Sequence, residues 1–246
     1  MPMFFVASDT ITPPTVCITG PLLHHLRQSL RLHPGDPLTV TDDHGMRYRT
    51  TVTDVTSQQI TGQIVDTQPA PARTTPSLIL GLALLKGEKM DWAIQKATEL
   101  GVDRIVPVHA KHSVVRLQPD RIDHQRARWQ RIALEAAQQS ERWTVPSIEM
   151  PVTVPELFAR YAACVSKNIL AERSTGPSLN NIALPVGPAD SVMLLVGPEG
   201  GWDAEEVRLA LDQGYVDISL GKRILRAETA VIGAISILQA RLGELG

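Results

Sequence analysis

What the chain has little of narrows its class first. Only two cysteines are present, Cys17 and Cys164, far apart and in no metal-binding or redox spacing, so a pair of reduced thiols is expected. No apolar run approaches the length needed to cross a bilayer, and residues 1–7 lack the basic flank and long apolar stretch of an export signal. A cytoplasmic location with no membrane partner is therefore expected. Nor does charge of one sign dominate: 24 Lys and Arg face 26 Asp and Glu, which argues against a general nucleic-acid coat protein. Motifs for several common chemistries are also missing. His109 and His112 stand three apart, yet no H-E-x-x-H and no cysteine partner complete a zinc site, so no metal is expected. Ser29, Ser113, Ser140 and Ser166 lack the context of a nucleophile elbow. The glycines do not spell G-x-G-x-x-G, and Gly221-Lys222 lacks the upstream glycine and the following Ser or Thr of a phosphate loop.

What is present is an ordinary globular composition, 43% hydrophobic and 20% charged over 246 residues, enough for one large domain or two modest ones. Residues up to about 70 read as mainly β, with one helix from about Pro21 to Leu32 and alternating segments at Leu38–Thr41, Arg47–Val55 and Gln59–Val65. This pattern predicts a small barrel. Three prolines in 68–76 mark a semi-extended linker, placing a boundary between domains 1–72 and 73–246. Beyond it the period changes. Strand-like Leu78–Leu85, Arg104–Val108, Val192–Val196 and Tyr215–Leu220 alternate with helical patterns at Lys89–Leu100, Arg121–Gln139, from Asp203, and Ala227–Leu242, the signature of an α/β sheet. Asp203 with Glu206 forms a capping box and Gly214 supplies a left-handed stop. The last helix has almost no polar face, so it lies at the centre of its domain or against another subunit. Trp92 and Trp129 fall in helical patterns and read as core; Trp143 and Trp202 lie near loops, free to stack on a ligand.

Two segments near the C-terminus carry the strongest functional signal. Gly197-Pro198-Glu199-Gly200-Gly201 and Leu220-Gly221-Lys222-Arg223-Ile224-Leu225-Arg226 each follow an apolar strand, where open α/β sheets place ligands. Three glycines in five residues let a backbone approach a flat ligand closely. Two such loops with apolar Ile224-Leu225 beside them suit a flat adenine ring with little phosphate. Arg226, at the start of an apolar helix, suits an anion or an enolate-like oxygen, or else a structural pair with Glu228 or Glu199. From Arg104 to Arg131, seven basic residues face Asp120 and Asp123, which reads either as a phosphate track or as a solvated helix face.

Several stretches, in order, resemble the RsmE family of 16S ribosomal RNA (uracil-N3)-methyltransferases of the SPOUT superfamily: Lys86-Gly87-Glu88-Lys89-Met90, Ile94-Gln95-Lys96, Glu99-Leu100-Gly101-Val102, Gly197 to Gly201, and Leu220-Gly221 with Ile224-Leu225-Arg226-Ala227-Glu228-Thr229-Ala230. The resemblance extends weakly to His25, Leu30-Arg31 and Pro34-Gly35. It implies a PUA-like β-barrel that binds RNA, followed by a SPOUT-type α/β domain with a C-terminal trefoil knot. It further implies S-adenosyl-L-methionine as cofactor, a homodimer, and a role in rRNA processing and ribosome biogenesis on the small ribosomal subunit. The expected cofactor positions are Leu195, Gly197, Pro198, Gly200, Gly201, Leu220, Gly221, Ile224, Leu225 and Ala230. Arg226 and Glu199 are the expected catalytic pair, the first stabilising a developing imidate, the second accepting a proton or orienting the base. Arg31 and Arg142 are the expected RNA contacts. The chain departs from the family at His112-Ser113, where Arg-Ser or Arg-Cys is usual. It departs again at Gln138-Gln139-Ser140-Glu141-Arg142, where Glu-Gln, a small residue, Gly and Arg are usual. A non-catalytic ribosome-assembly factor, or a methyltransferase of the superfamily with another RNA target, would share the same fold.

Overall fold

The structure, a computed structural model, describes residues 3–172 and 174–246. It divides into two compact units. One comprises the chain up to Ala72 together with Ala137–Thr144; the other comprises Arg73–Ala136 and Val145–Gly246.

In the first unit six strands, β1 (Met3–Phe5), β2 (Ile11–Thr12), β3 (Thr15–Ile18), β4 (Pro37–Thr41), β5 (Met46–Val55) and β6 (Ile60–Pro69), form one sheet in the order β1-β4-β5-β6-β3-β2. Pairing is antiparallel except between β1 and β4, and among the described residues it does not close between β1 and β2, so the expected barrel is an open hydrogen-bonded order. Helix α1 (Gly20–Gln28) seals the inner face by burying Leu23 and Leu26 against Val16, Ile18, Leu38, Val40, Val52 and Ile60. It ends earlier than the periodicity predicts, before Arg31 takes a left-handed φ of 53°. The loop after residue 139 completes this unit. Glu141 there has φ 52°, a conformation that costs an L-residue about 1–2 kcal/mol. Arg47 of β5 holds the turn: its guanidinium donates to the carbonyls of Glu141 and Arg142, both at 3.1 Å, and lies 3.8 Å from the centroid of the Trp143 ring.

The second unit is a three-layer α/β domain. Its strands are β7 (Ser77–Ala83), β8 (Arg104–His109), β9 (Ser147–Ile148), β10 (Val152–Thr153), β11 (Ser166–Leu170), β12 (Ser191–Val196) and β13 (Val216–Ile218). All pairs are parallel, in the order β10-β8-β7-β12-β11-β13 with β9 beside β8. Central strands read as unbroken apolar runs because both faces are covered. Leu78, Leu80 and Leu82 point to a layer containing α2 (Glu88–Glu99), α3 (Ile122–Gln139) and α6 (Ala227–Leu242); Ile79, Met193 and Leu195 point to the opposite layer, α4 (Val154–Arg160) and α5 (Ala204–Asp212). Each fully buried Leu or Ile contributes about 1.5–3 kcal/mol.

The α5 helix begins and ends where its sequence directs. Asp203 accepts from the Glu205 amide, Glu206 reaches back to the Asp203 amide, and Gly214 follows with φ 79°. Helix α6 buries Val231, Ala234, Ile235 and Leu238 and stops at Gly243, φ 82°. Strand β13 is shorter than expected, because Ser219 leaves it to bridge Ser178 in the loop after β11. Trp129 is core, whereas Trp92 is 40% exposed on α2, contrary to its apolar-helix setting.

Candidate active site

Four neighbouring parallel strands, β7, β12, β11 and β13, end on the same side of the sheet, and the loops that leave β12, β11 and β13, with Lys89 of the helix after β7, wall a cavity of about 580 Å³. That volume is within the range of small-molecule sites. Gly197, Pro198, Glu199 and Gly201 form one wall; Leu220, Gly221, Ile224, Leu225, Arg226, Ala227 and Ala230 form another. Leu170 to Glu172 and Ser174 come from the end of β11, and Lys89 from the first turn of α2.

Most of the expected cofactor and catalytic residues therefore meet, with two exceptions explained by geometry. Leu195 points away: successive strand residues face opposite sides, and its side chain is buried with Met193 and Leu157 while Val196 lines the cavity. Gly200 turns its outer side to the loop after β8, where a Cβ would come 3.0 Å from the Cβ of His112. That loop is itself tied to α5, since Lys111 Nζ lies 2.9 Å and His112 Nε2 3.6 Å from Asp203 Oδ2, and the Lys111 amide donates to Glu206 at 2.9 Å. Arg31 and Arg142 belong to the other unit.

Glu199 is held by partners that no local pattern pairs with it. Its Oε1 accepts from the Lys86 amide at 3.2 Å and from Lys89 Nζ at 3.0 Å. Burial works to raise its pKa, but hydrogen bonds from its own backbone, Lys89 and Lys86 outweigh burial and hold it below the ordinary 4.5. Its Oε2 is buried without a hydrogen-bond partner among the described residues, as are Trp202 Nε1 and Glu228 Oε2. Such atoms are costly unless a ligand completes them. Neither structural pairing considered for Arg226 forms among the described residues: Glu199 pairs with Lys89, and Arg226 stands exposed at the head of α6.

The basic stretch 104–131 is largely engaged inside the protein. Arg104, Lys111 and Arg128 pair with Glu149, Asp203 and Asp91, while Arg116 and Arg126 donate to the carbonyls of Lys111 and Ile148. Its carboxylate partners come from distant sequence, which is why a local count overstates the free charge. Sequence reasoning also passes over Lys89, Glu172, Lys222 and Arg223 as individual wall residues; Lys89 lies within a recognised segment, but nothing local marks it as the partner of Glu199.

A family model described as the RNA methyltransferase domain matches residues 73–239, and one described as the RNA methyltransferase PUA domain matches residues 18–65. The class is thus an RNA methyltransferase. A Synechocystis protein named ribosomal RNA small subunit methyltransferase E is 33% identical over 96% of this chain and 77% of its own length. A protein of the same name from Neisseria gonorrhoeae, solved bound to S-adenosyl methionine, superposes with a TM-score of 0.86 at 29% identity over 98% of both chains. A Legionella pneumophila protein solved in complex with the same cofactor gives 0.86 at 28% identity over 97% of both chains. The chain belongs to the ribosomal RNA small subunit methyltransferase E family, the RsmE family.

Proposed function

We propose that this protein methylates N3 of a specific uridine in the 16S rRNA of the small ribosomal subunit, using S-adenosyl-L-methionine. The observation that carries the proposal is the cavity at the ends of β7, β12, β11 and β13, walled by the two glycine loops, in a chain whose solved relatives hold that cofactor. The residues present fit such a ligand. Glycine backbone admits a flat ring, Ile224 and Leu225 supply apolar surface, and Glu199 Oε2 and Trp202 Nε1 are buried polar atoms without partners among the described residues. The cofactor supplies an electrophilic methyl on a sulfonium.

Uracil N3 carries a proton, so methylation requires charge to develop on the ring. Arg226, a guanidinium exposed at the cavity, donates to a uracil carbonyl or the adjacent phosphate and stabilises that charge as the N3 proton passes to solvent water. Glu199 is a carboxylate held below its ordinary range, which makes it a poor proton acceptor. Its role is to orient the base and to offer negative charge complementary to a sulfonium. Methyl transfer between groups held in line needs positioning above all.

On this reading the unit containing Arg31 and Arg142 is a PUA-like RNA-binding domain, residues 1–72 with the loop 137–144, and residues 73–246 otherwise form the catalytic domain. The C-terminal segment forms a trefoil knot. Its support is topological: β13 lies at the sheet edge beyond β11, whereas α6 packs against β12 and α2, so residues 219–226 cross the end of β11 and its loop. That loop is bonded to Ser219 on one side and, at Leu179 and Ile182, to Arg241 of α6 on the other. A homodimer uses the partly exposed apolar face of α6 around Ile232 and Ile237, and the protein acts in the cytoplasm during subunit assembly.

The test is incubation with labelled S-adenosylmethionine and small subunits from cells lacking the enzyme, followed by nucleoside mass spectrometry. N3-methyluridine is the expected product. A different methylated nucleoside would move the target, and tight RNA binding with no methyl transfer would leave a binding factor.

A further inference from the structure

We propose that Lys222 and Arg223, together with Arg226, form the grip by which the cavity mouth holds the phosphates flanking the target nucleotide. This rests on the functional reading above and names the substrate-contacting surface of that same site. All three cations border the cavity within five residues, and all three are exposed. None of their side chains makes a hydrogen bond or ion pair among the described residues. The acidic residues nearest in sequence, Asp217 and Glu228, leave Oδ1 and Oε2 respectively buried without a partner among the described residues. Between them Ile224 is 60% exposed, so the segment stands out from the wall instead of packing into it.

The contrast with residues 104–131 assigns the surface. There, five of seven basic side chains donate to groups within the protein, leaving Arg121, just before α3, and Arg131, within it, exposed but outside the cavity lining. A cation already paired with a carboxylate adds little to a phosphate site, whereas an unpaired one can displace condensed counterions. Chemistry on a base within RNA also requires that base to leave its stack, and the backbone on either side must then be held where the base enters. Cations at the mouth meet that need with sequence-independent contacts, and the exposed Ile224 offers the extruded base an apolar edge.

The experiment measures the affinity of unmodified small subunits by filter retention over a series of salt concentrations, with calorimetric titration of S-adenosylmethionine in parallel. Lys222→Gln/Arg223→Gln is expected to weaken RNA binding and lower the log-log salt slope by about 1.5, at roughly 0.7–0.9 for each phosphate no longer neutralised. Cofactor affinity and thermal midpoint should stay at their wild-type values, and each single substitution should give about half the slope change. Arg121→Gln/Arg131→Gln should leave the slope unchanged. An unaltered slope in the Lys222→Gln/Arg223→Gln protein, or equal losses in both double variants, overturns the proposal. The slope is read from binding, so it decides this inference even if wild-type protein yields no N3-methyluridine, the result that would instead remove the functional reading.

Discussion

The two loops that wall the cavity use glycine differently: crowding surrounds every glycine of the first and none of the second. In the loop after β12, glycine makes room. A Cβ on Gly197 would lie 3.0 Å from the Trp202 indole nitrogen, one on Gly200 3.0 Å from the His112 Cβ, and one on Gly201, whose φ of 71° also favours glycine, 3.3 Å from the Glu172 carboxyl carbon. The same loop is pinned through Glu199 to Lys86 and Lys89. In the loop after β13, a Cβ on Gly221 would meet open space, and glycine is needed only because φ is 112°. Its neighbours Lys222, Arg223 and Ile224 are exposed. One wall is fixed by packing against side chains; the other stands open to solvent. On the proposed function, both walls hold the cofactor, and the exposed cations of the second also meet the RNA.

That division meets its hardest test at Arg226, where the largest effect is expected. If the open wall carries the chemistry, Arg226→Ala should lower single-turnover methyl transfer by about two to three orders of magnitude, the scale for losing one preorganised donor, while cofactor affinity is kept. Equal losses of turnover and cofactor affinity would erase the distinction between the walls. A second comparison sharpens it at the glycines themselves. Gly200 does not have a left-handed φ, so Gly200→Ala acts through crowding against His112 and should lower stability by about 1 kcal/mol, read as a lower thermal midpoint. Removing the opposing Cβ with His112→Gly should restore much of that loss, and absence of coupling in this double-mutant cycle would refute the packing argument. Gly221→Ala should instead cost about 1–3 kcal/mol of stability through backbone strain, with no neighbouring substitution able to rescue it.

Much of this architecture is legible in the residues alone, and what is not has physical causes. The alternation of strand and helix after the linker, the capping box at Asp203 and the bounds of α6 rest on local periodicity and caps, which sequence displays directly. Strand β11 and helix α4 escape such a reading because residues 154–170 are short elements with mixed exposure. The open pairing order of the first unit and the return of residues 137–144 to it depend on contacts distant in sequence, such as Arg47 with Glu141. Glu141 also shows why one family departure is tolerable: it occupies a left-handed position that glycine fills without strain, and Arg47 holds the turn regardless. At the site, the glycine loops are visible as motifs, but side-chain direction and charge partners are not. Leu195 follows the pleat to the far layer, and the basic stretch 104–131 meets carboxylates that no local window contains.

The smallest expected effect tests how firmly the packed wall is fastened. Glu199 has its folded pKa depressed below the ordinary 4.5, so its stabilising contribution is present above that value and lost only as pH falls through the lower folded value. Cofactor affinity measured by calorimetry should therefore be flat from neutral to mildly acidic pH. Lys89→Met removes one of the hydrogen bonds that depress this pKa while leaving the burial that raises it, so the acid loss of affinity should move to higher pH. Because Lys89 is 40% and Glu199 24% exposed, the pair itself is worth only about 0.2–1 kcal/mol at neutral pH, and affinity there should change little. An unmoved acid midpoint would mean that the Lys86 amide and the backbone of Glu199 hold the carboxylate unaided, and the fastening of this wall would then be a property of the main chain alone.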